Sequence, residues 1–427
     1  MGRTFMPEYQ RDDELRDVQL AGLQWTVRHV YAGSPFYRDR LDAAGVGPHS
    51  IRTLEDIRRL PFTTSADLRD GYPFPFRSVP FRDIVRIHSS SGTTGKRKIL
   101  AYTKKDVEDW THFFARCYEM IGMGPEDRIQ LPVGYGLWTA GIGFQAGCEA
   151  LGAMAIPAGP GNLDLQCELL VDLETTLVCC TSSMALLLSE EVHRRGLRDR
   201  IRLRSVILGS ERSSEALRRR VKELLGVEHI HDLTGMTELY GPGAGVDCRH
   251  HTGIHYWADY YLLEILDPTT LEPVPEGEVG EMVVTTLRKE GSPLLRYRTR
   301  DLTRALPGRC PCGSVFPRHD RILGRSDDMF IFRAVNIYPS QIDAVLSQMP
   351  GVSSEFDVRL AREGALDRMR IRVERDPERE AAGDRELEAE IQRRLKSQLL
   401  VTPDVKIVDY GELPRSERKS KRVYDNR

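Results

Sequence analysis

The sequence predicts an α/β protein: a large N-terminal domain of parallel sheets covered by helices, ending in a small antiparallel barrel, and then an α+β C-terminal domain of about a hundred residues. Three observations predict it. Helical and strand-like patterns alternate from Asp106 to Leu233, as β–α–β units require. From Ile254 to Leu306 the apolar period drops to two, with Tyr261, Leu263 and Ile265 at alternate positions and turns at Asp267-Pro268-Thr269-Thr270 and Pro275-Glu276-Gly277. Beyond Gly324-Arg325-Ser326-Asp327-Asp328 the pattern changes again, which places the domains at residues 1–326 and 327–427.

Taken in order, Leu15, Val18, Leu20, Leu23, Val27 and Val30 recur at helical spacing between Asp13 and Asp42, and Pro35-Phe36-Tyr37 is expected to break that run. A short helical piece follows within Ser50–Leu68, and the prolines of Gly71–Phe76 keep the next stretch extended. Strand-like runs at Asp83–His88 and Lys98–Tyr102 flank a Ser/Thr/Gly-rich loop. Helices are then expected at Asp106–Ile121, Gly141–Leu151, Asp164–Leu173, Ser183–Arg195 and Ser214–Leu225, the fourth capped by Ser182 or Ser183. Strands are expected at Arg128–Val133, Ala153–Pro157, Thr176–Cys180, Ser205–Leu208 and Glu228–Leu233. The C-terminal domain offers helices at Ser340–Gln348 and Asp384–Leu400 and strands at Phe356–Leu360, Met369–Val373 and Val405–Val408. Its charged run Glu374–Arg394 reads as a solvated helix face.

Composition excludes some classes of function. The 427 residues are 40% apolar and 29% charged, with a formal net charge of −2, so there is no general polyanion-binding surface and no nucleic-acid partner is expected. The most apolar window, Gly136–Gly159, is interrupted by Gln145 and Glu149 and rich in glycine, which points away from a membrane span. The first residues carry no secretory apolar stretch, so the eight cysteines are expected to be reduced thiols or metal ligands in a cytoplasmic protein.

The loop Ser89-Ser90-Ser91-Gly92-Thr93-Thr94-Gly95-Lys96 is the chemical centre of the sequence. Its glycines allow tight folding, and hydroxyls, backbone N–H groups and Lys96 suit a bound polyphosphate. It is not a Walker loop, because only two residues separate the glycines and Arg97 follows the lysine. Ligands of parallel α/β sheets sit at the carboxyl ends of strands. Two stretches lie at such ends: Gly209-Ser210-Glu211, and Asp232 leading into Thr234-Gly235-Met236-Thr237-Glu238.

Ser90–Lys96 and Thr234–Glu238, together with Tyr297-Arg298-Thr299-Arg300-Asp301, Gly324–Asp328 and Leu413–Lys419, resemble, in order, the motifs of adenylate-forming enzymes. Leu60-Pro61-Phe62-Thr63-Thr64, Gly134-Tyr135-Gly136-Leu137, Asn336–Gln341 and Lys421-Arg422-Val423 look like the phenylacetate–coenzyme A ligase branch, and the likeness runs over nearly the whole chain.

The resemblance implies an ATP-dependent ligase that joins an aryl acid to coenzyme A through an acyl-adenylate, releasing AMP and pyrophosphate. Ser89–Lys96 would hold pyrophosphate; Ser210, Glu211, Asp232 and Thr234–Thr237 would line the nucleotide; and Glu238 would ligate Mg²⁺. Asp301 would accept from both ribose hydroxyls, and Arg325 is similar to a ribose and phosphate contact. Lys419 would stabilise the transition state of adenylation, and Asp327 resembles the hinge of a mobile C-terminal domain. Gly209, Tyr135, Gly136, Trp138 and Phe144 would line the pocket for a flat aromatic acid, although Trp and Phe beside a glycine-rich helix equally suit the core. Thr234, Arg97 and Arg418 depart from the family pattern. Loading of a carrier protein, or adenylate binding without turnover, stay open as alternatives, as does a homodimer.

Cys248, His255, Cys310 and Cys312 supply enough ligands for one tetrahedral zinc, and some members of the branch carry a structural zinc here. Unbound thiols are the other reading.

Overall fold

The computed structural model describes residues 4–7, 9, 11–90, 97–137, 140–211, 213–333, 335–363, 366–377, 379–413 and 422–427. Two helices lead, α1 (Asp12–Gly33) and α2 (Pro35–Ala43). Pro35 opens α2 instead of ending the helical run, because a proline in the first turn has no N–H to leave unsatisfied. α3 (Ser65–Asp70) is capped by Thr64, whose hydroxyl accepts from the Asp67 N–H. The strands β1 (Arg86–Ser89) and β2 (Ile99–Tyr102) then pair antiparallel as a separate ribbon, so the Ser/Thr/Gly-rich loop spans a hairpin.

The strand–helix alternation follows the expected course: α4 (Lys104–Met120), β3 (Arg128–Gln130), α5 (Ala140–Leu151), β4 (Met154–Ile156), α6 (Leu163–Asp172), β5 (Leu177–Thr181), α7 (Ser182–Arg194), β6 (Ser205–Gly209), α8 (Glu215–Leu225) and β7 (His229–Met236). The cap of α7 is Thr181 rather than either serine, its hydroxyl accepting from the Met184 N–H at 3.2 Å. α4 and α5 approach closely because α5 presents glycines: a Cβ at Gly143 or Gly147 would meet Phe114 at 2.3 or 2.2 Å. Trp110, Phe113, Phe114 and Tyr118 of α4 are wholly buried in the principal core.

The antiparallel half differs from a closed barrel. β8 (Gly241–Asp247), β9 (Ile254–Tyr256), β13 (Ala305–Leu306) and β14 (Arg318–His319) extend the parallel sheet into a nine-stranded one, ordered β13-β14-β9-β8-β7-β6-β5-β3-β4. The others, β10 (Tyr261–Leu266), β11 (Gly280–Thr286), β12 (Tyr297–Thr303) and β15 (Gly324–Arg325), form a four-stranded sheet with β10 and β15 at its edges. Period-two alternation announces antiparallel pairing but says nothing of which sheet a strand joins.

After a β16 (Phe330–Phe332) and β17 (Val335–Ile337) hairpin comes α9 (Pro339–Leu346), then β18 (Val352–Glu363), β19 (Leu366–Arg375), α10 (Asp384–Leu399), β20 (Asp404–Val408) and β21 (Val423–Asp425). These elements share a core of their own, with Ile342, Val358, Ile371, Ile391 and Leu395 fully buried. The charged run is not one helix face. Glu374 is buried on β19, where it accepts from the Leu413 N–H at 2.8 Å, and α10 buries Leu387, Ile391, Leu395 and Leu399 along one stripe. No helix among the described residues is long and apolar enough to cross a membrane.

Candidate active site

The carboxyl ends of the parallel strands and the β1–β2, β7–β8 and β12–β15 junctions carry most of the expected residues. Ser91–Lys96, Trp138 and Lys419, with Arg418 and Lys421, lie outside the described residues. The ends of the Ser/Thr/Gly-rich stretch are tied together. The Ser90 N–H donates to the Lys98 carbonyl at 3.1 Å, the Lys98 N–H donates to Ser90 Oγ at 3.2 Å, and buried Ser89 donates its N–H to the Leu137 carbonyl at 3.2 Å.

Thr234–Glu238 is the tip of a hairpin rather than a loop leaving a strand. Thr234 pairs with Gly245 and Met236 with Gly241, with a bulge between Thr234 and Gly235. A Cβ at Gly235 would sit 2.4 Å from the Gly241 carbonyl, so the crossing admits only glycine. The turn delivers Glu238 into the interior, 5% exposed, where its carboxylate pairs with Lys98 and accepts from the Tyr297 hydroxyl at 3.0 Å. Burial opposes ionisation of Glu238, but the charge and hydrogen bond of Lys98 outweigh it and hold the carboxyl below its ordinary range. A hard, ionised carboxylate fits Mg²⁺.

Two lysines that the motifs do not mark support this turn. Lys98 immediately precedes β2. Lys289 is wholly buried, donates to the Glu238 carbonyl at 3.0 Å and to the Leu239 carbonyl, and lies over the Tyr102 ring at 4.5 Å. Lys98 could have been suspected from its place two residues after Lys96; nothing in the local pattern around Lys289 points to burial.

Asp301 stands on β12 opposite Arg325 on β15, with 3.0 Å between guanidinium and carboxylate, and Arg325 also binds Asp327 at 2.8 and 3.0 Å. The neighbouring Arg298 and Arg300 turn to Glu281 instead, at 2.8 and 3.5 Å. Asp232 is held at 2.9 Å by Arg218 and at 3.1 Å by Arg321. Gly209 ends β6, Ser210 takes a positive φ of 68°, and Glu211 accepts from the Ser183 N–H and hydroxyl at 2.9 and 2.7 Å.

Tyr135 is partly exposed and its ring covers the N-terminal end of α5, where a Cβ at Gly141 would clash with it at 2.6 Å. Gly136 has a φ of 94°, which a side chain would strain. Phe144 takes the core placement, 4% exposed with its ring 4.6 Å from that of Phe114. Beside Gly134 a cleft of about 460 Å³ opens at the ends of β3, β4 and β5, lined by Val133, Asn162, Thr181, Met184 and Glu191 among others.

Cys248, His255, Cys310 and Cys312 converge, their ligand atoms all within 4.8 Å of one another. Cys248 and Cys310 sulfurs are 3.5 Å apart, and Cys312 Sγ is 3.5 Å from His255 Nε2. Bonds of about 2.3 and 2.0 Å around a tetrahedral zinc give ligand separations close to these. His255 Nδ1 is committed to the Phe316 carbonyl at 3.0 Å, leaving Nε2 for a metal.

The family model for AMP-binding enzymes matches residues 41–287, and that for the AMP-binding enzyme C-terminal domain matches 334–427. The chain is 40% identical to a phenylacetate–coenzyme A ligase of Escherichia coli (strain K12), over 97% of this chain and 95% of that one. It is 41% identical to one of Thermus thermophilus, over 97% of each. Its fold matches a crystal structure of 2-hydroxyisobutyryl-CoA ligase in the postadenylation state with a TM-score of 0.88 and 28% identity, over 97% of this chain and 90% of that one. The same enzyme in its thioesterification state matches at 0.71. With the two regions matched in order and the identity sustained end to end, the chain belongs to the phenylacetate–coenzyme A ligase family of AMP-binding, adenylate-forming enzymes.

Proposed function

We propose that this protein is an ATP-dependent coenzyme A ligase for phenylacetate or a closely related aryl acid. The observation that carries the reading is the end-to-end identity, through both the AMP-binding and the C-terminal regions, with enzymes of that name. A carboxylate is a poor acyl donor because its oxygen leaves badly. In the first half-reaction a carboxylate oxygen attacks the α-phosphorus of ATP, and the bond to pyrophosphate breaks as the new P–O bond forms. In the second, the sulfur of coenzyme A attacks the acyl carbon, AMP leaves with the C–O electron pair, and the thiol proton passes to solvent.

This chain's residues suit that division of labour. Asp301 would accept from ribose hydroxyls, with Arg325, hydrogen-bonded to it, meeting phosphate, and Ser89–Lys96 would hold the departing pyrophosphate. Glu238 would hold Mg²⁺, which when bound supplies charge neutralisation on the polyphosphate. Lys419 would stabilise the adenylation transition state. Asp327, tied to Arg325, would be the pivot of the C-terminal domain between half-reactions. Tyr135 would offer an aromatic acid a flat wall. Zinc at Cys248, His255, Cys310 and Cys312 would be structural, since four protein ligands leave no open position.

Acid-dependent ATP–pyrophosphate exchange across phenylacetate, benzoate and hydroxylated, amino and indole acids tests the reading, with coenzyme A consumption followed in parallel and Lys419→Ala as control. Exchange and thioester formation with one aryl acid, lost in the variant, is the expected result. Exchange without coenzyme A turnover would favour a carrier-protein acceptor, and ATP binding without exchange would favour a non-catalytic protein.

A further inference from the structure

We propose that His231, Asp247 and His251 form a second metal site, separate from the Cys/His cluster, for a divalent cation of the zinc, cobalt or nickel type. The three residues come from different places in the chain: His231 from β7, Asp247 from the end of β8, and His251 from the turn that follows. One ligand atom from each lies within 4.8 Å of the others.

Two buried atoms point to an occupant. His231 Nδ1 is 2.9 Å from the Asp247 carbonyl, so its proton is donated there and the lone pair sits on Nε2. That Nε2 is buried and meets no hydrogen-bonding partner among the described residues, and neither does Asp247 Oδ1. Both residues are enclosed, His231 at 0% and Asp247 at 5% exposure. One cation between these two buried atoms on adjacent strands would satisfy both.

His251 ligates by releasing one hydrogen bond, because both of its ring nitrogens are engaged. His251 Nδ1 lies 2.7 Å from Asp247 Oδ2, and its Nε2 lies 3.0 Å from His229 Nδ1. His231 is oriented through the backbone carbonyl on its other ring nitrogen, as liganding histidines commonly are. A network of hydrogen bonds alone accounts for His251 and His229 but leaves His231 Nε2 and Asp247 Oδ1 unexplained. Two imidazoles and one carboxylate without a thiolate select borderline divalent ions over Mg²⁺ or Ca²⁺. Bound there, the ion would cross-link β7 to the end of β8, in the same hairpin whose tip carries Glu238.

The test is Co²⁺ titration of the full-length protein, stripped with a chelator, followed by calorimetry and absorption. Metal at the cysteines announces itself by a near-ultraviolet thiolate-to-cobalt band; metal at the histidines gives no such band. Two equivalents are expected in the native chain, one of them silent in that band. His251→Asn and Asp247→Asn should keep the thiolate band and lose the silent equivalent, or bind it at least tenfold more weakly. Asparagine at 251 tolerates the positive φ of 51° there, so that variant keeps the turn. A single silent equivalent lost in His251→Asn would also support the site. Silent binding unchanged in both variants, or binding confined to the thiolate band, would overturn it.

Discussion

Arg325 joins Asp301 to Asp327: one guanidinium lies 3.0 Å from the first carboxylate and 2.8 Å from the second. The proposed ribose contact and the proposed pivot are therefore not independent. Any turn of the backbone at Asp327 must give up or re-aim an ion pair that also positions Asp301.

Removing that shared partner should weaken nucleotide use more than folding. Charge-assisted hydrogen bonds are worth about 1.5–3 kcal/mol, which corresponds to roughly a tenfold to hundredfold fall in kcat/KM for ATP in Arg325→Ala. Pyrophosphate exchange at varied ATP, alongside thermal unfolding, measures both. An exchange rate within twofold of the native protein would mean that Asp301 needs no help from Arg325.

Glu238 gives a pH signature. Its folded value is depressed, so the stability it contributes is fully present above the unfolded carboxyl value of about 4.3 and is lost as pH falls through the lower folded value. Lys98→Met removes the cause and leaves a buried carboxylate unpaired. The acid limb of the exchange profile should then move to higher pH, and urea unfolding near neutrality should show a loss of about 3–5 kcal/mol. Glu238→Gln should instead cut exchange by about a hundredfold or more with a smaller effect on stability.

How far such features could be read beforehand depended on whether they are local. Asp301 and Glu238 sit in contiguous motifs, and the β3–β7 alternation is written in neighbouring residues, so both were legible. The partner of Asp301 was not: Arg298 and Arg300 are adjacent in sequence, yet β12 sends them to Glu281, and the pairing with β15 brings Arg325 across. The expected barrel failed for the same reason, since β9 and β13 lie within the period-two stretch but join the nine-stranded sheet, β9 on β8 and β13 on β14. Glu374 looked solvated because charge usually is; it is buried because β19 continues through it and a backbone N–H from Leu413 meets it. The four zinc candidates were identifiable as ligand types, and only the fold brought Cys248 and His255 to Cys310 and Cys312.

Lys289 should make stability rise with pH in the alkaline range. Burial pushes its amine down to about 7, against the favourable charges of Asp106 and Glu238. The unfolded lysine, at about 10.4, then holds a proton that the folded one has lost, so the unfolded state is the more protonated between the two values. The slope approaches about 1.4 kcal/mol per pH unit for one proton. Urea unfolding of the native protein and Lys289→Met at pH 7 to 9 isolates this slope as the difference between them, since buried thiols and phenols titrate alike in both. The variant should also be less stable at pH 9, because the Glu238 and Leu239 carbonyls lose their donor. Parallel curves would show that Lys289 stays charged.

Asp327 separates the half-reactions. If the C-terminal domain turns there, fixing φ with Asp327→Pro should trap one arrangement. The arrangement resembles the postadenylation structure of 2-hydroxyisobutyryl-CoA ligase more than its thioesterification structure, so that is the arrangement proline is expected to hold. Exchange with ATP should then survive within a few-fold, while thioester formation falls by about a hundredfold or more. Asp327→Ala removes only the ion pair with Arg325 and should leave thioester formation closer to native. The contrast between the two substitutions is the informative quantity: equal losses of both half-reactions in Asp327→Pro would place the pivot elsewhere and leave Asp327 as the residue that steadies Arg325.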